Sequence, residues 1–188
     1  IRYFVGELEK PSPYESGSEE DISALAHQAG ITDLSAIVVM NGVVDAEYPL
    51  VGKAAAVIKQ LADMKPAPGE DIDGTSAFSW TMDVDDDTYV NINALQAFVK
   101  VKSPNSHQYF GQRGLGKAED REMLKAGGLV KPYCMGGPGF ILSMRTLRVL
   151  ADSIDSCLED ARRTDMILLD DVIIGICVQR ETGLGCWD

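Results

Sequence analysis

Carboxylates are concentrated in one short stretch of the chain, where four of the five positions from 83 to 87 are aspartate: Asp83, Asp85, Asp86 and Asp87. Like charges this close repel one another, so the cluster is unfavourable unless a cation or hydrogen-bond donors offset it. Carboxylate oxygens suit hard divalent cations such as Mg²⁺ and Mn²⁺, which often bridge protein carboxylates to substrate phosphates. The stretch therefore predicts either a cation site or a solvated acidic turn.

A second acidic pair, Asp170 and Asp171, interrupts an otherwise apolar run over residues 166–178. Asp170 is predicted to cap a helix, with Asp171 in its first turn, where the helix dipole favours an anion. Desolvation at the mouth of an apolar segment raises the pKa of a carboxyl group, which suits a general base. The alternative is that both residues are ordinary acids of a helix N-terminus.

A glycine-rich loop, Gly136-Gly137-Pro138-Gly139, separates the two acidic features along the chain. Its lack of side-chain bulk lets a ligand or another segment approach the main chain closely, although a structural hairpin would use the same residues. The other glycine-rich stretch, residues 109–117, has neither the phosphate-loop nor the dinucleotide-binding spacing, and it predicts a strand turning into a loop.

Hydrophobic patterning predicts the elements that position these residues. Apolar and β-branched runs predict strands at 2–5, 34–44 and 77–84, and helical spacing predicts helices at 21–29, 50–64, 91–101 and 143–158. In the helix at 91–101, four side chains are expected to face inward: Ile92, Leu95, Phe98 and Val99. The alternation predicts a single α/β domain over residues 1–188, with a mostly parallel central sheet flanked by helices. Ligands bind at the carboxyl ends of the strands in such sheets, where the strand at 77–84 delivers the acidic cluster.

The bulk composition excludes some classes of function. With 29 acidic and 17 basic residues, the net charge is −12, which argues against binding nucleic acid or an anionic membrane surface. No apolar run approaches the roughly 18–20 residues of a membrane span. The start resembles a strand and not a signal peptide, and because it lacks Met we expect the chain to be a segment of something longer.

The cysteines indicate a compartment. All four lie in the last third of the chain and predict disulfides in an oxidising compartment, with three pairings open and buried free thiols as the alternative: Cys134, Cys157, Cys177 and Cys186. No CxxC pair is present, which argues against structural zinc. The two histidines, His27 and His107, are predicted to be ordinary surface residues.

A cation site, a close-approach loop and a single carboxylate base are the parts that inverting sugar transfer from a nucleotide-diphosphate donor requires. The chain resembles the Fringe-like β1,3-glycosyltransferases, and among them the chondroitin synthase and chondroitin-polymerising group. The resemblance runs from about Val43 to the last residue and rests on five motifs in order: Asp45-x2-Tyr48-Pro49-Leu50-x2-Lys53, Trp80 with Asp85-Asp86-Asp87-Thr88-Tyr89-Val90, Tyr109-Phe110-Gly111-Gln112-Arg113-Gly114-Leu115-Gly116, Tyr133-Cys134-Met135-Gly136-Gly137-Pro138-Gly139, and Asp171-Val172-x2-Gly175-x-Cys177-Val178.

This resemblance implies a type-A glycosyltransferase fold, with a Rossmann-like nucleotide-sugar half and an acceptor half. It implies a UDP-sugar donor, a glycan acceptor, Mn²⁺ or another divalent cation, and inversion by direct displacement. The residues matched to roles are Asp87 and Asp85 for the metal, Asp85, Asp86, Gly136, Gly137 and Gly139 for the donor, and Asp171 with Asp170 for catalysis. Asp83 departs from the family pattern, because relatives often carry a basic residue there.

The resemblance also implies residence in the Golgi lumen as part of a type II membrane protein, with the anchor, an N-terminal strand and a C-terminal end outside this chain. Glucuronic acid is the expected sugar, with galactose or N-acetylglucosamine as the other options, and three basic residues are candidates to bind its carboxylate: Arg113, Lys117 and Lys131. Two other functions stay open. One is a non-catalytic partner subunit in a hetero-oligomer with a related transferase, and the other is an acidic Ca²⁺-binding or interaction module.

Overall fold

A computed structural model describes residues 3–7, 37–44, 51–64, 78–85, 88–163 and 169–187, with the first two ranges described as backbone only. The chain forms two compact units, Ile1–Val57 and Ile58–Asp188. The predicted helix at 21–29 and His27 lie outside the described residues. The single-domain assignment stays a prediction.

The first unit contains a parallel strand pair. β1 (Tyr3–Glu7) lies beside β2 (Ile37–Val44), with a register shift between Gly6 and Glu7. Helix α1 (Val51–Asp63) starts in this unit and ends in the second. The strands predicted at 2–5 and 34–44 and the helix predicted at 50–64 are confirmed, with described ends that differ from the predicted ones by at most three residues.

The second unit is built on a three-stranded sheet whose order is β3-β7-β4. These strands are β3 (Trp80–Asp83), β4 (Tyr109–Gly111) and β7 (Phe140–Ser143). Central β7 runs antiparallel to both neighbours. A second antiparallel pair joins β5 (Arg113–Gly114) to β6 (Tyr133–Cys134).

The mixed α/β class is confirmed, but the described strands do not form the predicted, mostly parallel central sheet. β3 and β4 do point the same way, because a crossover helix connects them as the alternation predicted. The later strand β7 then enters between them in the opposite direction, so each hydrogen-bonded pair in this sheet is antiparallel. The sequence pattern predicts the relative direction of consecutive strands such as β3 and β4. It does not predict that a later strand such as β7 will lie between them.

The crossover helix α2 (Ile92–Lys100) begins at Asn91, whose side chain accepts a hydrogen bond from the Ala94 backbone N–H at 3.0 Å. The prediction that its apolar face is buried is wrong for the described structure. No α2 residue is buried, and Ile92 and Phe98 remain 40% and 37% exposed. Phe98 packs edge-on against Phe110 at a centroid distance of 5.2 Å, so α2 makes a shallow contact with the sheet.

Two long helices form the core of the second unit. α4 (Met144–Arg163) follows β7 directly, and the Ser143 hydroxyl accepts a hydrogen bond from the Thr146 N–H at 3.3 Å, as the capping prediction required. The helix continues five residues past its predicted end, Leu158. Its buried stripe contains most of the predicted residues: Leu147, Leu150, Ile154 and Leu158, with Ala151 only partly buried. The short helices between β5 and β6 are a 3-10 turn (Ala118–Asp120) and α3 (Arg121–Ala126).

The last helix, α5 (Asp170–Thr182), packs on α4 and is buried from Val172 to Gln179. Its middle, residues 172–178, is apolar on all sides, as expected for a segment that passes through the core. Gln179 is its buried polar residue, and its side-chain oxygen accepts hydrogen bonds from the backbone N–H groups of Val130 (3.1 Å) and Lys131 (2.8 Å).

Both predicted disulfides are present. Cys134 in β6 bonds to Cys186 near the end of the chain, and Cys157 in α4 bonds to Cys177 in α5. The structure thus selects one of the three pairings left open by the sequence. None of the described helices combines the length and the apolar character needed to span a membrane.

Candidate functional site

Asp171 is held at the start of α5 by two backbone N–H groups. Its Oδ1 accepts a hydrogen bond from the N–H of Val172 at 2.8 Å, and its Oδ2 accepts one from the N–H of Gly136 at 3.0 Å. The first bond lies within α5, whereas the second reaches across to the glycine loop. The carboxylate is therefore fixed in orientation against that loop.

A close approach of α5 to β6 makes this contact possible. Gly175 lies one helical turn after Asp171, on the same face of α5. A Cβ atom at Gly175 would lie 2.3 Å from the Cβ of Tyr133 in β6, which is far inside any normal contact. Only glycine at this position lets the helix axis come so near, and that approach brings Asp171 to the loop following β6.

The glycine loop joins β6 to β7 through a tight turn in which the Gly139 N–H donates to the Gly136 carbonyl at 2.7 Å. Gly139 has a φ of 88°, and a Cβ there would lie 2.6 Å from Cγ1 of Val84. The loop is more than a simple hairpin, because its two flanking strands belong to different sheets. Gly139 therefore packs against the end of β3, while Gly136 and Gly137 precede it in the turn.

Asp85 and Thr88, which flank the undescribed pair at 86–87, lie on the other side of the same loop. A Cβ at Gly137 would lie 3.4 Å from Oδ2 of Asp85, so this carboxylate borders the loop. The Thr88 N–H donates to the Asp85 carbonyl at 3.1 Å, and the Thr88 hydroxyl donates to the Gly137 carbonyl at 2.7 Å. The turn and the loop are thus joined by hydrogen bonds.

Burial in this setting raises the pKa of Asp171. The hydrogen bonds from the N–H groups of Gly136 and Val172 oppose this rise in pKa. The negative charges of Asp170 and Asp85 add to it. A carboxylate with a raised pKa is a stronger base than an exposed one, and the one on Asp171 accepts its hydrogen bond from a glycine-rich loop.

The sequence profile of the Fringe-like family matches residues 40–186, which include the acidic turn, the glycine loop and α5. The chain belongs to the Fringe-like family.

Individual relatives of this Fringe-like chain agree with that assignment. Chondroitin sulfate synthase 3 from Mus musculus is 34% identical over 146 residues, covering 76% of this chain and 15% of the relative, and the Homo sapiens protein gives the same values. Acetylgalactosaminyl-O-glycosyl-glycoprotein beta-1,3-N-acetylglucosaminyltransferase from Mus musculus is 30% identical over 111 residues, covering 54% of this chain and 26% of the relative. Chondroitin sulfate glucuronyltransferase from Homo sapiens is 33% identical over 109 residues, covering 58% and 13%. This chain thus spans about 15% of the length of the synthases.

The Fringe-like chain brings together most of the site residues predicted from its sequence. Asp85, Gly136, Gly137 and Asp171 meet at one place, with Gly139 supporting the turn from β3. Asp86 and Asp87 lie outside the described residues, and within the described part no cluster of three or more side chains suited to metal binding occurs. The donor atoms that Asp85 presents are oxygens, which fit a hard divalent cation.

Two details differ from the sequence prediction. Leu169, not Asp170, is the N-cap of α5, so Asp170 lies in the first turn and influences the site through its charge on Asp171. His107 is partly buried and not an ordinary surface residue. Its Nε2 accepts a hydrogen bond from Nε of Arg145 at 3.3 Å, and burial, followed by the charge of Arg145, lowers the pKa of His107.

Sequence reasoning assigned no role to Thr88, Tyr133 or Gly175, although all three stand inside the quoted motifs. For Gly175 a usable signal exists, because a glycine four residues after Asp171 in a helix marks the face that lies closest to a neighbour. For Thr88 and Tyr133 no local signal gives the partner, since Gly137 and Gly175 are each 42 or more residues away in the chain.

Proposed function

We propose that this chain carries the catalytic site of a metal-dependent inverting β1,3-glycosyltransferase with a type-A fold, which moves a sugar from a UDP-sugar to a glycan hydroxyl. The observation that carries the proposal is the hydrogen bond from Gly136 N–H to Asp171, which sets a base against a loop that also borders Asp85. Membership in the Fringe-like family supports the reaction class.

Asp171 is the proposed catalytic base. Each of its oxygens already accepts one hydrogen bond, and an ionised carboxylate has about four acceptor positions, so capacity remains for the proton of an acceptor hydroxyl. In a direct displacement, the acceptor oxygen forms the new bond to the anomeric carbon, the bond to the UDP oxygen breaks with its electron pair, and Asp171 takes the hydroxyl proton. The charge of Asp170 supports this role by adding to the raised pKa.

Asp85, Asp86 and Asp87 are the proposed donor end of the site. Asp87 and Asp85 would hold Mn²⁺ or another divalent cation, and Asp86 with Asp85 would contact the donor. When bound, the cation would neutralise the charge that develops on the diphosphate leaving group. Gly136 borders Asp171 and Gly137 borders Asp85, so these two glycines would line the sugar site, while Gly139, packed on β3, supports the loop.

Glucuronic acid is the sugar we propose, with galactose or N-acetylglucosamine as the alternatives. Of the three basic candidates, Arg113 pairs in register with Cys134, two residues before Gly136. Lys131 instead donates a hydrogen bond to the Gly183 carbonyl. Arg113 is the candidate we would test first for binding a donor carboxylate, because its strand pairs with the strand that leads into the glycine loop.

The function is tested by measuring UDP release and sugar transfer with Mn²⁺ and a panel of UDP-sugars. The expected result is transfer that disappears with chelation and falls at least about a thousandfold in Asp171→Asn, since this variant keeps the shape of the side chain but not the base. Arg113→Ala should lower transfer of glucuronate more than transfer of N-acetylglucosamine. Full activity in Asp171→Asn or Asp87→Ala would refute the residue assignments.

The lumen of the Golgi is the proposed location, in a type II membrane protein whose anchor lies outside this chain. Its two disulfides support an oxidising compartment.

A second candidate function is that of a non-catalytic partner subunit for a related transferase. The favouring observation is the group of exposed apolar side chains on and beside α2, which includes Tyr89 at 90% and Val101 at 81% exposure. This alternative predicts no UDP release by the full protein alone and co-purification with a second transferase. An active protein that purifies by itself would exclude it.

A further inference from the structure

Thr88 connects the two halves of the candidate site. Its backbone N–H donates to the Asp85 carbonyl at 3.1 Å, and its hydroxyl donates to the Gly137 carbonyl at 2.7 Å. These bonds point in different directions, one into the acidic turn and the other across to the glycine loop. The same residue therefore fixes the turn and holds the loop against it.

The connection continues to the base. Within the loop, the Gly139 N–H donates to the Gly136 carbonyl at 2.7 Å, and Gly136 in turn donates its N–H to Oδ2 of Asp171 at 3.0 Å. An unbroken series of hydrogen bonds and short backbone links thus runs from Asp85 through Thr88 and the loop to the base.

The loop receives little restraint from glycine side chains, so an external hydrogen bond has a large share in fixing it. Gly136, Gly137 and Gly139 have no side chains with which to pack or to form hydrogen bonds, and glycine has the largest conformational freedom of any residue. Pro138 restricts one φ angle only and has no N–H to donate. The Thr88 hydroxyl acts on the middle of this stretch, on a residue adjacent to Gly136, whose N–H orients Asp171.

We propose that Thr88 is a positioning residue that keeps the glycine loop, and through it the proposed base Asp171, in a fixed relation to Asp85. The inference rests on the proposed glycosyltransferase function and adds a role outside the carboxylates and glycines. Thr88 transfers no proton and takes part in no bond that forms or breaks.

Two substitutions separate the hydroxyl from the shape of the side chain. Thr88→Val has nearly the same volume and β-branching but cannot donate, whereas Thr88→Ser retains the hydroxyl. Both variants keep the backbone N–H that bonds Asp85, so the acidic turn should keep its form. We therefore expect kcat to fall about tenfold in Thr88→Val, with the donor KM within about twofold of wild type, because positioning and not donor binding is lost. Thr88→Ser should stay within about threefold of wild type in both constants.

Thr182→Val is the matched control. The Thr182 hydroxyl also donates to a backbone carbonyl, that of Val178 at 2.6 Å, but it lies at the end of α5 away from the loop. Its removal should leave kcat and KM unchanged. Thermal unfolding of all three variants verifies that each remains folded at the assay temperature.

Amide hydrogen exchange gives a readout that does not depend on activity. In Thr88→Val, the amides of Met135, Gly136, Gly137 and Gly139 should exchange at least about fivefold faster than in wild type, while Thr88→Ser and Thr182→Val leave them unchanged. A wild-type protein without transfer activity contradicts the proposed function, and the exchange data then still decide whether Thr88 holds the loop. Wild-type kcat together with wild-type exchange in Thr88→Val would overturn the inference, as would an equal loss in Thr88→Ser or a loss confined to KM.

Discussion

At the scale of single residues, the site depends on the pKa of Asp171, which burial, two backbone N–H donors and two neighbouring acids determine. Burial raises its pKa above the value near 3.9 that is usual for an exposed aspartate. A general base works only when ionised, so kcat should rise with pH through this raised pKa and then level off. Measurement of kcat between pH 4 and 8 with saturating donor checks the expectation. An acid limb at or below the ordinary aspartate value, or a flat profile, would contradict it.

The same shift predicts an effect on stability whose sign follows from linkage. Because the folded state binds this proton more tightly than the unfolded chain, the fold loses stability as pH rises from about 4 through the folded pKa of Asp171. Asp171→Asn cannot ionise, so its Tm minus that of wild type should grow across this pH interval and be constant below it. Thermal unfolding of both proteins at matched ionic strength measures the difference. A Tm difference that shrinks as pH rises would show that burial does not dominate the pKa of Asp171.

At the residue scale, a sequence permits a prediction only where the side-chain type itself would carry the function, and the roles predicted here stay proposals. Clustered aspartates indicated a cation or donor site, and an acid opening an apolar helix indicated a base, because both signals are local. Thr88 had no such signal, since its hydroxyl becomes meaningful only once folding brings Gly137 to within 2.7 Å. Roles of this kind depend on long-range contacts that no spacing rule contains.

At the scale of elements, the distance between α5 and β6 decides whether Asp171 reaches the loop. Gly175→Ala would place a methyl group 2.3 Å from the Cβ of Tyr133, so the helix must shift outward. Crowding of this kind costs about 1–3 kcal/mol, which exceeds the gain of about 1 kcal/mol from better helix propensity. We expect a lower free energy of unfolding together with a kcat reduced at least about tenfold, because the proposed base Asp171 moves away from Gly136.

Gly52→Ala is the matched control for this variant, since no atom lies within 4 Å of the Cβ it would add in α1. Here only the propensity term acts, so stability should be unchanged or rise by up to about 1 kcal/mol with activity retained. Chemical denaturation of both variants, with kcat measured in parallel, separates the two effects. Equal behaviour of the two alanine variants would mean that the α5–β6 distance does not limit the site.

Prediction of the elements succeeded where the pattern is continuous and failed where partners are distant. Within the described part of the chain, the strands and helices lie near their expected positions, because periodicity reflects which face of a segment is apolar. The sheet direction was wrong because β7, about 60 residues after β3, enters between β3 and β4. The apolar face of α2 was expected to be buried, yet periodicity shows only that a face is apolar and not how deeply it is covered.

At the scale of the whole molecule, the second unit is closed by two disulfides with different positions relative to the site. Cys157–Cys177 joins α4 to α5, with 20 positions of sequence separation, while Cys134–Cys186 joins β6 to the chain end across 52 positions. In the chain-entropy model these links stabilise the fold by about 3 and about 4 kcal/mol, respectively. The longer link also starts two residues before Gly136, so it restrains the strand that leads into the loop.

Variants in which both cysteines of one disulfide are replaced test the two contributions. Alanine is used in place of serine, because a buried serine hydroxyl would add a desolvation cost. We expect Cys157→Ala/Cys177→Ala to lose stability while largely keeping kcat. Cys134→Ala/Cys186→Ala should lose stability and also lower kcat, since β6 and the glycine loop are then held by fewer restraints. Urea denaturation under non-reducing conditions and kcat at a temperature where each variant is folded provide the two measurements. A kcat loss confined to Cys157→Ala/Cys177→Ala would show that the site depends on the α4–α5 pair and not on the anchoring of β6.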